Sequence, residues 1–420
     1  MTSVFKLALR GLLRNRRRSL VTLLAIAFGF SAIALFAGYT HNVYDGLARL
    51  SIHGELLGHL TLNKRGMRTE GKLDPQRYML SAAEVEAITG LLRDEARIEL
   101  IAPRLAFSGL ISNGRASTIF IAEGIEPSAM ERLQRDALTE QEKRGGLYNN
   151  QKKQLDPTRA EVVELSAGLV DMLHLSTGGQ AAMLVNTLSG QANALDITVG
   201  HRFNTGNAGS NDKFALVSLA LARNLLDIEG RADRLTILLD DVEHTGAMRE
   251  HLLARLHTAG FDVEIRSWQE LSDFYNQVHG MFDMIFGFIF SIVLTVVVMS
   301  VANSMGMTVV ERTREIGTLR AIGLKRSGVV RLFTTESMLL TLIGCAVGLL
   351  ITLGVRWGIN LANISYVPPN SVSPVPLLVD MDGGRVLFTF VLMGVVGTLA
   401  AYLPARRAAQ KDIIDALGHV

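Results

Sequence analysis

The chain has 420 residues, of which 48% are hydrophobic and 20% are charged, and its formal net charge at pH 7 is +2. This near-neutral balance, with no basic stripe interleaved with aromatic residues, argues against a nucleic-acid-binding protein. The single cysteine, Cys345, excludes a disulfide within the chain and a metal site built from several cysteines.

Four charge-poor apolar stretches are long enough to cross a membrane, since a transmembrane helix needs about 20 apolar residues. They lie at residues 19–40, 284–310, 332–356 and 385–405. The first follows a basic segment and contains Ala32-Ile33-Ala34, which resembles the cleavage site of a secretory signal peptide. The run is longer than the apolar region of such a peptide, so we predict a retained span.

Lysine and arginine are unevenly distributed among the connecting segments. Arginines crowd before the first span, between the second and third, and after the fourth, whereas residues 357–384 contain neither lysine nor arginine. By the positive-inside rule, both termini face the cytoplasm. The sequence therefore predicts a multi-pass protein of the bacterial inner membrane.

The predicted fold is membrane α-helical, with four transmembrane helices and a large α+β periplasmic domain inserted between the first and the second. In chain order we expect a cytoplasmic amphipathic helix (1–18), span one (19–40), the periplasmic domain (41–283), span two (284–310), a cytoplasmic loop (311–331), span three (332–356), a periplasmic loop (357–384), span four (385–405) and a cytoplasmic tail (406–420).

The periplasmic domain alternates strand-like and helix-like segments. Ser81 and Glu84 form the pattern of a capping box, which predicts a helix over 81–93. A polar linker at 139–159 is expected to divide two lobes, and a helix beginning at Trp268 is expected to run straight into span two. Strands are predicted at 98–111, 117–125, 181–185, 194–199, 214–218, 235–239 and 261–266, and further helices at 219–227 and 242–259.

No set of catalytic residues is recognisable. The three histidines of the 242–259 segment lack the i, i+4 spacing of a helical zinc site, and there is no Gly-x-Ser-x-Gly sequence. A Gly-x-x-x-x-Gly-Lys-Ser/Thr phosphate-binding loop is also absent from the 420 residues. We therefore predict a non-catalytic membrane subunit that binds no metal or cofactor itself; if ATP drives transport here, ATP and Mg²⁺ are held by a separate ATPase chain.

The cytoplasmic loop carries a short amphipathic helix. Ile316, Leu319 and Ile322 recur every three residues and predict one apolar stripe, flanked by charged residues and followed by Gly323. Such a helix either lies on lipid headgroups or docks into a groove of a partner protein. Composition alone leaves both interpretations open.

The order of residues in this loop resembles a known family. The run from Glu311 to Gly323 (ERTREIGTLRAIG), followed by Phe333 and Glu336, is similar to the hallmark of the MacB/LolC–LolE/FtsX superfamily of type VII ABC permeases. So is the C-terminal PARRAA sequence at 404–409, with Asp412, Ala416 and Leu417 after it. The external segments 58–62, 102–109, 184–187 and 194–196 look most like the lipoprotein-releasing LolC/LolE branch.

The resemblance implies an ABC ATPase subunit and a second permease protomer, identical or paralogous, as partners, together with membrane lipid. It also implies that the loop is the coupling helix that seats in the ATPase, and residues 5–18 resemble the N-terminal interfacial helix of the family. The expected coupling residues are Glu311, Arg312, Arg314, Glu315, Ile316, Gly317, Leu319, Arg320, Ala321, Ile322 and Gly323.

Two features lie inside the predicted spans. Glu336, about one turn into span three, is costly in a membrane and is expected to pair with Arg331 or Arg406. Aromatic residues of spans one and two either face lipid or line an apolar cavity for acyl chains at a dimer interface. The cavity candidates are Phe28, Phe36, Phe282, Phe286 and Phe290.

These observations predict the permease subunit of an ATP-driven transporter that extracts lipoproteins or other amphiphiles from the inner membrane and passes them to a periplasmic lipoprotein carrier. One alternative is MacB-like efflux of a drug, siderophore or peptide with a periplasmic adaptor. Another is FtsX-like transmembrane signalling to a cell-wall hydrolase.

Overall fold

The computed structural model describes residues 16–71, 73–137, 154–205, 208–367 and 374–410. Most of the predicted N-terminal helix, most of the 139–159 linker and the last part of the tail motif, from residue 411 onward, lie outside these ranges. The chain divides into two compact units. The membrane unit comprises Met1–Tyr44, Val278–Ile364 and Leu377–Val420, and the domain unit comprises Asp45–Gln277 and Ser365–Pro376.

Twelve α-helices are present in the described ranges. In chain order they are α1 (Arg16–Arg49), α2 (Pro75–Tyr78), α3 (Ala82–Leu92), α4 (Pro127–Gln134), α5 (Ala167–Met172), α6 (Leu219–Leu226), α7 (Thr245–Thr258), α8 (Trp268–Leu271), α9 (Asp273–Glu311), α10 (Thr313–Ala321), α11 (Arg326–Ala362) and α12 (Gly383–Gln410). A π-helical turn at Leu50–Gly54 follows α1, and a 3₁₀ turn at Val242–His244 precedes α7.

Eleven strands accompany these helices in the described ranges. They are β1 (Leu60–Lys64), β2 (Ile98–Ser112), β3 (Ser117–Ile125), β4 (Val162–Ser166), β5 (Gln180–Asn186), β6 (Ala192–Phe203), β7 (Phe214–Ser218), β8 (Arg234–Leu239), β9 (Val263–Ser267), β10 (Ser365–Tyr366) and β11 (Val375–Pro376).

Four helices of the membrane unit, α1, α9, α11 and α12, are long and apolar enough to cross a membrane, which confirms the predicted four-span fold. Each extends beyond its predicted span, because polar residues at the ends continue the helix without adding to the apolar run. Gly344 and Gly348 of α11 pack directly on Ile26, Ala27 and Phe30 of α1. A side chain at either glycine would overlap α1, so these small residues permit the close approach of the two helices.

The sheet of the domain unit has nine strands in the order β3-β7-β4-β6-β5-β2-β8-β1-β9, and an additional β2–β3 pairing brings the first strand back to the sixth. The strands β2, β3, β7, β4, β6 and β5 therefore close into a six-stranded ring. The 15-residue β2 belongs to this ring through its second half and pairs with β8 through its first half. One long strand thus joins the ring to the four-stranded part β2-β8-β1-β9.

Each part of the sheet has its own apolar core. The ring encloses residues such as Phe120, Met183 and Ile197 and is covered by α5 and α6, while α3 and α7 cover the four-stranded part through Ile88 and Leu252. The predicted capping box is present at the start of α3, where Ser81 and Glu84 exchange side-chain and backbone hydrogen bonds.

The sheet shows no division into two lobes near 139–159. Strand β3 before that segment and β4 and β7 after it pair in the same ring, so the segment connects neighbouring parts of one structure.

The helix beginning at Trp268 ends at Leu271 rather than running into α9, because Ser272 has extended backbone angles. The buried hydroxyl of Ser272 accepts a hydrogen bond from the backbone N–H of Tyr275, which makes it the N-cap of α9, and it also accepts one from the hydroxyl of Ser51.

Several polar side chains are buried in the domain unit, and Arg104 and His59 are two of them. Arg104 on β2 is 1% exposed, pairs with Glu123 on β3 and donates to the carbonyl oxygen of Leu56. Burial lowers the pKa of its guanidinium well below the usual value. His59 accepts at Nδ1 a hydrogen bond of 3.0 Å from the backbone N–H of Leu239 on β8, and burial lowers the pKa of this imidazole from 6.5 to about 4.

Candidate functional site

The segment between α9 and α11, which the sequence predicts to be the coupling loop, contains the short helix α10 between two turns. Helix α9 ends at Glu311, and α10 starts after Arg312, whose backbone is not helical. At the other end Gly323 has φ of +105°, and the N–H groups of Gly323 and Leu324 bond to carbonyl oxygens in the last turn of α10. A glycine at this position stops the helix, because the left-handed backbone is strained for other residues.

Arg312 ties this segment to span three. Its Nη1 donates to Oε2 of Glu336 at 3.1 Å, its Nε donates to Oε2 of Glu315 at 2.9 Å, and its guanidinium lies 5.5 Å from the ring centre of Phe333. Glu336 is 3% exposed, so this carboxylate is enclosed by the helices of the membrane unit. At the end of α9, Oε1 of Glu311 lies 2.7 Å from Nη2 of Arg18 on α1.

The partner of Glu336 differs from the prediction, which named Arg331 or Arg406. Arg331 precedes Glu336 by five residues, and side chains at that spacing lie on different faces of a helix. Both arginines are exposed. Arg312 reaches the carboxylate instead because the turn between α9 and α10 folds its side chain back onto α11.

The remaining predicted coupling residues fall into a buried set and an exposed set. Ile316 and Gly317 are buried, Leu319 and Arg320 are half-buried, and Arg314, Ala321 and Gly323 are exposed. The predicted single stripe is split, because Ile316 is 4% exposed and packs in the core while Ile322 is 77% exposed. Two steps of three residues rotate a side chain by about 120° around a helix with 3.6 residues per turn. The exposed tip is therefore 321–327, which also carries Leu324.

Four of the five predicted cavity phenylalanines lie together. Phe36 of α1 stacks on Phe286 of α9 with ring centres 5.9 Å apart and contacts Phe282, and Phe286 in turn stacks on Phe290 at 6.0 Å. Phe28 is separate, since it lies two turns away on α1 and is 60% exposed.

Beside this cluster, α1, α9 and α12 enclose an open groove of about 590 Å³, a volume within the usual range for small-molecule sites. Its apolar wall is formed by Ile33, Ala37, Phe286, Phe290, Phe388 and Leu392. Its polar lining residues are Thr40, Tyr44, His279, Asp283, Arg385 and Thr389.

The charged and aromatic residues at the polar end were not predicted from the sequence. The Tyr44 hydroxyl donates to Oδ1 of Asp283 at 3.1 Å, the other oxygen of Asp283 lies 3.1 Å from Nδ1 of His279, and the rings of Tyr44 and His279 stack with centres 4.3 Å apart. Arg385 of α12 lies 3.6 Å from Asp382. The only available signal was the i, i+4 spacing of His279 and Asp283 at the start of an apolar helix.

The loop before α12 is fastened to two of the spans. The backbone N–H of Asp380 donates to the carbonyl oxygen of Gly38 on α1, and Asn42 on the same helix donates to the Asp380 carboxylate, both at 3.2 Å. On α11, Arg356 donates a hydrogen bond to the carbonyl oxygen of Val379, and the side-chain oxygen of Asn360 accepts one from the backbone N–H of Val379. Val379 and Asp380 with these hydrogen-bond partners are called the loop latch below. The loop latch connects the segment before α12 to α1 and α11.

Within the described ranges, no three His, Cys, Asp or Glu side chains are grouped so that they could hold a metal ion. The membrane unit combines an anchored helix, α10, that is followed by an exposed apolar tip, with a groove that is apolar along one part and charged at one end.

Residues 287–413 match the FtsX-like permease C-terminal family. The pyoverdine export ATP-binding/permease protein PvdT of Pseudomonas savastanoi pv. phaseolicola is 29% identical over 51% of this chain and 31% of its own length. The ABC transporter permease YknZ of Bacillus subtilis is 30% identical over 42% of this chain and 42% of its own length.

A solved structure, the periplasmic region of MacB from Actinobacillus actinomycetemcomitans, is 14% identical, with a TM-score of 0.35 over 53% of this chain and 92% of that one. The chain thus spans about a third to two fifths of the length of the two curated relatives. The assignment to the lipoprotein-releasing branch stays a prediction. The C-terminal part of this chain is thus similar to FtsX-like permease domains, and the relatives it matches are ABC permeases of the MacB, PvdT and YknZ type.

Proposed function

We propose that this chain is the permease subunit of an ATP-driven ABC transporter that removes an amphiphile from the inner membrane. It would work with an ABC ATPase on the cytoplasmic side and with a second permease protomer. The observation that carries the proposal is the coupling segment, in which α10 is anchored at its start and exposed at its tip.

The anchored end favours transmission of force over passive attachment to a membrane surface. Arg312 is bonded to Glu336 of α11 and Glu315 of α10, so a displacement of α10 pulls on span three through a charged, largely buried contact. The exposed end favours a protein partner, because Ile322 and Leu324 present apolar side chains beside polar neighbours. Exposed apolar side chains that lie together at such a turn commonly mark a site of contact with another protein.

The groove supports an amphiphile as the cargo. Its wall of phenylalanines suits acyl chains, and its polar end suits a headgroup. A lipoprotein or another lipid-like molecule, received outside by a periplasmic carrier, satisfies both requirements. Phe28 lies outside this groove and is assigned to the lipid-facing surface of α1.

A second candidate is export of a small molecule through a periplasmic adaptor. The name of the PvdT relative, a pyoverdine export protein, favours this candidate. The two candidates differ in their partners. Co-purification of a lipoprotein carrier with the tagged chain supports extraction, whereas co-purification of an adaptor with an outer-membrane channel supports export.

The proposal is tested by substituting Ile322→Asp in the full chain and measuring how much ATPase subunit co-purifies from mild detergent. Placing a charge in the centre of an apolar docking contact should weaken ATPase binding by about tenfold or more. The matched control is Ile119→Asp, since Ile119 of β3 is also an exposed isoleucine, at 64%, in the domain unit. Equal recovery of the ATPase with both variants would exclude the tip as its docking site.

A further inference from the structure

The groove of the membrane unit is graded in polarity along its length. On α1 and α9 the polar lining residues stand at one end and the apolar ones follow toward the middle of the span, in the order Tyr44, Thr40, Ala37, Ile33 on α1 and His279, Asp283, Phe286, Phe290 on α9. On α12 the charged Arg385 stands at the same end and is followed by Phe388, Thr389 and Leu392. A ligand that fills this groove must be an amphiphile with its polar group beside Tyr44, His279 and Arg385.

The negative charge at the polar end is already engaged within the protein. Both oxygens of Asp283 have partners, since Oδ1 accepts from the Tyr44 hydroxyl and Oδ2 lies 3.1 Å from the His279 ring. The stacking of Tyr44 on His279 fixes this arrangement. A cationic headgroup would therefore have to compete with these contacts for the carboxylate.

The positive charge at the same end is held much more weakly. Arg385 lies 3.6 Å from Asp382, three residues earlier in the chain, and both side chains are about half exposed. Ion pairs of this kind contribute little to stability, because water solvates both charges and the side chains lose freedom. Asp382 also accepts hydrogen bonds from the backbone N–H groups of Gly384 and Arg385, and these bonds lower the pKa of its carboxyl. It can remain the cap of α12 when the guanidinium turns to another anion.

We propose that the groove binds a phospholipid, with its phosphate on the guanidinium of Arg385 and an acyl chain between Phe286, Phe290 and Phe388. A guanidinium binds phosphate through two parallel hydrogen bonds, which a hydroxyl or an uncharged ester cannot match. This inference rests on the proposed function, because it names the ligand class of the same groove. It also predicts that a neutral lipid with the same chains binds less well.

The test uses the full chain purified in mild detergent, without ATP or ATPase, and measures lipid retention by native mass spectrometry. The probes are phosphatidylglycerol and diacylglycerol with identical acyl chains. We expect the phospholipid to bind about tenfold more tightly, the effect of one charge-assisted contact. Arg385→Gln should abolish this difference. Arg331→Gln, an exposed arginine of α11 outside the groove, is the matched control and should preserve it.

A second variant covers the case in which Arg385→Gln does not fold. Asp382→Ser keeps an N-cap oxygen for α12 but removes the competing charge, so phosphatidylglycerol should bind about threefold more tightly. Equal binding of the two lipids by the unmodified chain would overturn the proposal, as would unchanged selectivity in Arg385→Gln. Displacement of the lipid by millimolar inorganic phosphate would mean that the site recognises free phosphate, which would also overturn it.

The outcome is independent of the coupling test. Loss of ATPase binding in Ile322→Asp concerns α10, whereas lipid selectivity concerns the groove. Failure of the lipid experiment leaves the permease proposal standing, and failure of the ATPase experiment leaves lipid binding standing.

Discussion

Arg312 and Glu336 form an ion pair of 3.1 Å that joins the start of α10 to the first turns of α11. The carboxylate is almost fully enclosed and the guanidinium is largely so, which makes the contact sensitive to the loss of either partner. Removing one member of a buried pair leaves an uncompensated charge and commonly costs several kcal/mol, whereas replacing both together costs far less.

Glu336→Ala and Arg312→Ala should therefore each lower the free energy of unfolding by an amount on the order of 3 kcal/mol. The Arg312→Met/Glu336→Met double variant should recover a large part of this loss, because no charge remains buried. Detergent-to-SDS unfolding of the purified chain measures these differences. If the double variant lost as much free energy of unfolding as the two single variants together, a direct pair would be contradicted.

Gly38 allows the loop latch to lie against α1. A Cβ atom built on Gly38 would overlap the carbonyl oxygen of Asp380, so Gly38→Ala should detach the loop from α1 and speed proteolysis of residues 374–382. The control is Gly354→Ala on α11, where nothing lies within 4 Å of the added methyl group. This substitution should leave proteolysis unchanged and stabilise the helix by about 0.5–1 kcal/mol. Equal protease resistance in the two variants would show that the loop latch does not depend on the close contact between Gly38 and Asp380.

His59 should make the domain unit sensitive to acid. Its pKa is lowered to about 4 in the folded state against 6.5 for an ordinary histidine, so the unfolded chain binds the proton more tightly. The contribution to stability is complete above pH 6.5 and is lost as the pH falls toward 4, up to about 3 kcal/mol. Hydrogen exchange at the Leu239 amide should accelerate over this range. His59→Asn retains a hydrogen-bond acceptor and should remove the acid-dependent acceleration of hydrogen exchange at the Leu239 amide. If the acceleration persists in this variant, another group causes it.

Arg104 should be among the most sensitive residues of the domain unit. Arg104→Ala removes the partner of the Leu56 carbonyl and one partner of Glu123, which should destabilise the domain by about 3–5 kcal/mol. Arg65→Ala, which breaks an exposed pair with Asp262, should change stability little. The thermal midpoints of the purified variants give the comparison, and similar losses in the two would refute the role of burial.

The membrane-spanning segments and many strands were predictable because their signals are local. A span needs an unbroken apolar run, and β3 and β7 begin and end at the residues predicted from their short apolar runs. Strand β4 was missed because its short apolar run is interrupted by a charged residue, Glu164, at its centre. That carboxylate is fully buried, which its residue type does not suggest.

The sites were less predictable because they depend on contacts distant in the sequence. Tyr44, Asp283 and Arg385 come from three helices and share no spacing in the chain. The partner of Glu336 depends on the direction of the turn after Glu311, and no local pattern specifies that direction. The break at Ser272 likewise depends on the buried hydroxyl of Ser51, which lies 221 residues away in the chain.

The closed ring has a consequence for how the domain unit can meet other chains. Each of its six strands has neighbours on both sides along at least part of its length, so β9 is the one strand of the nine in the described sheet that has a neighbouring strand on a single side. The other edge of β9 carries Glu264 and Arg266, which pair with each other across it at 3.3 Å. Charges on an edge discourage the addition of a foreign strand. The domain unit is thus expected to resist the addition of a foreign strand, so that partners would recognise its loops and faces.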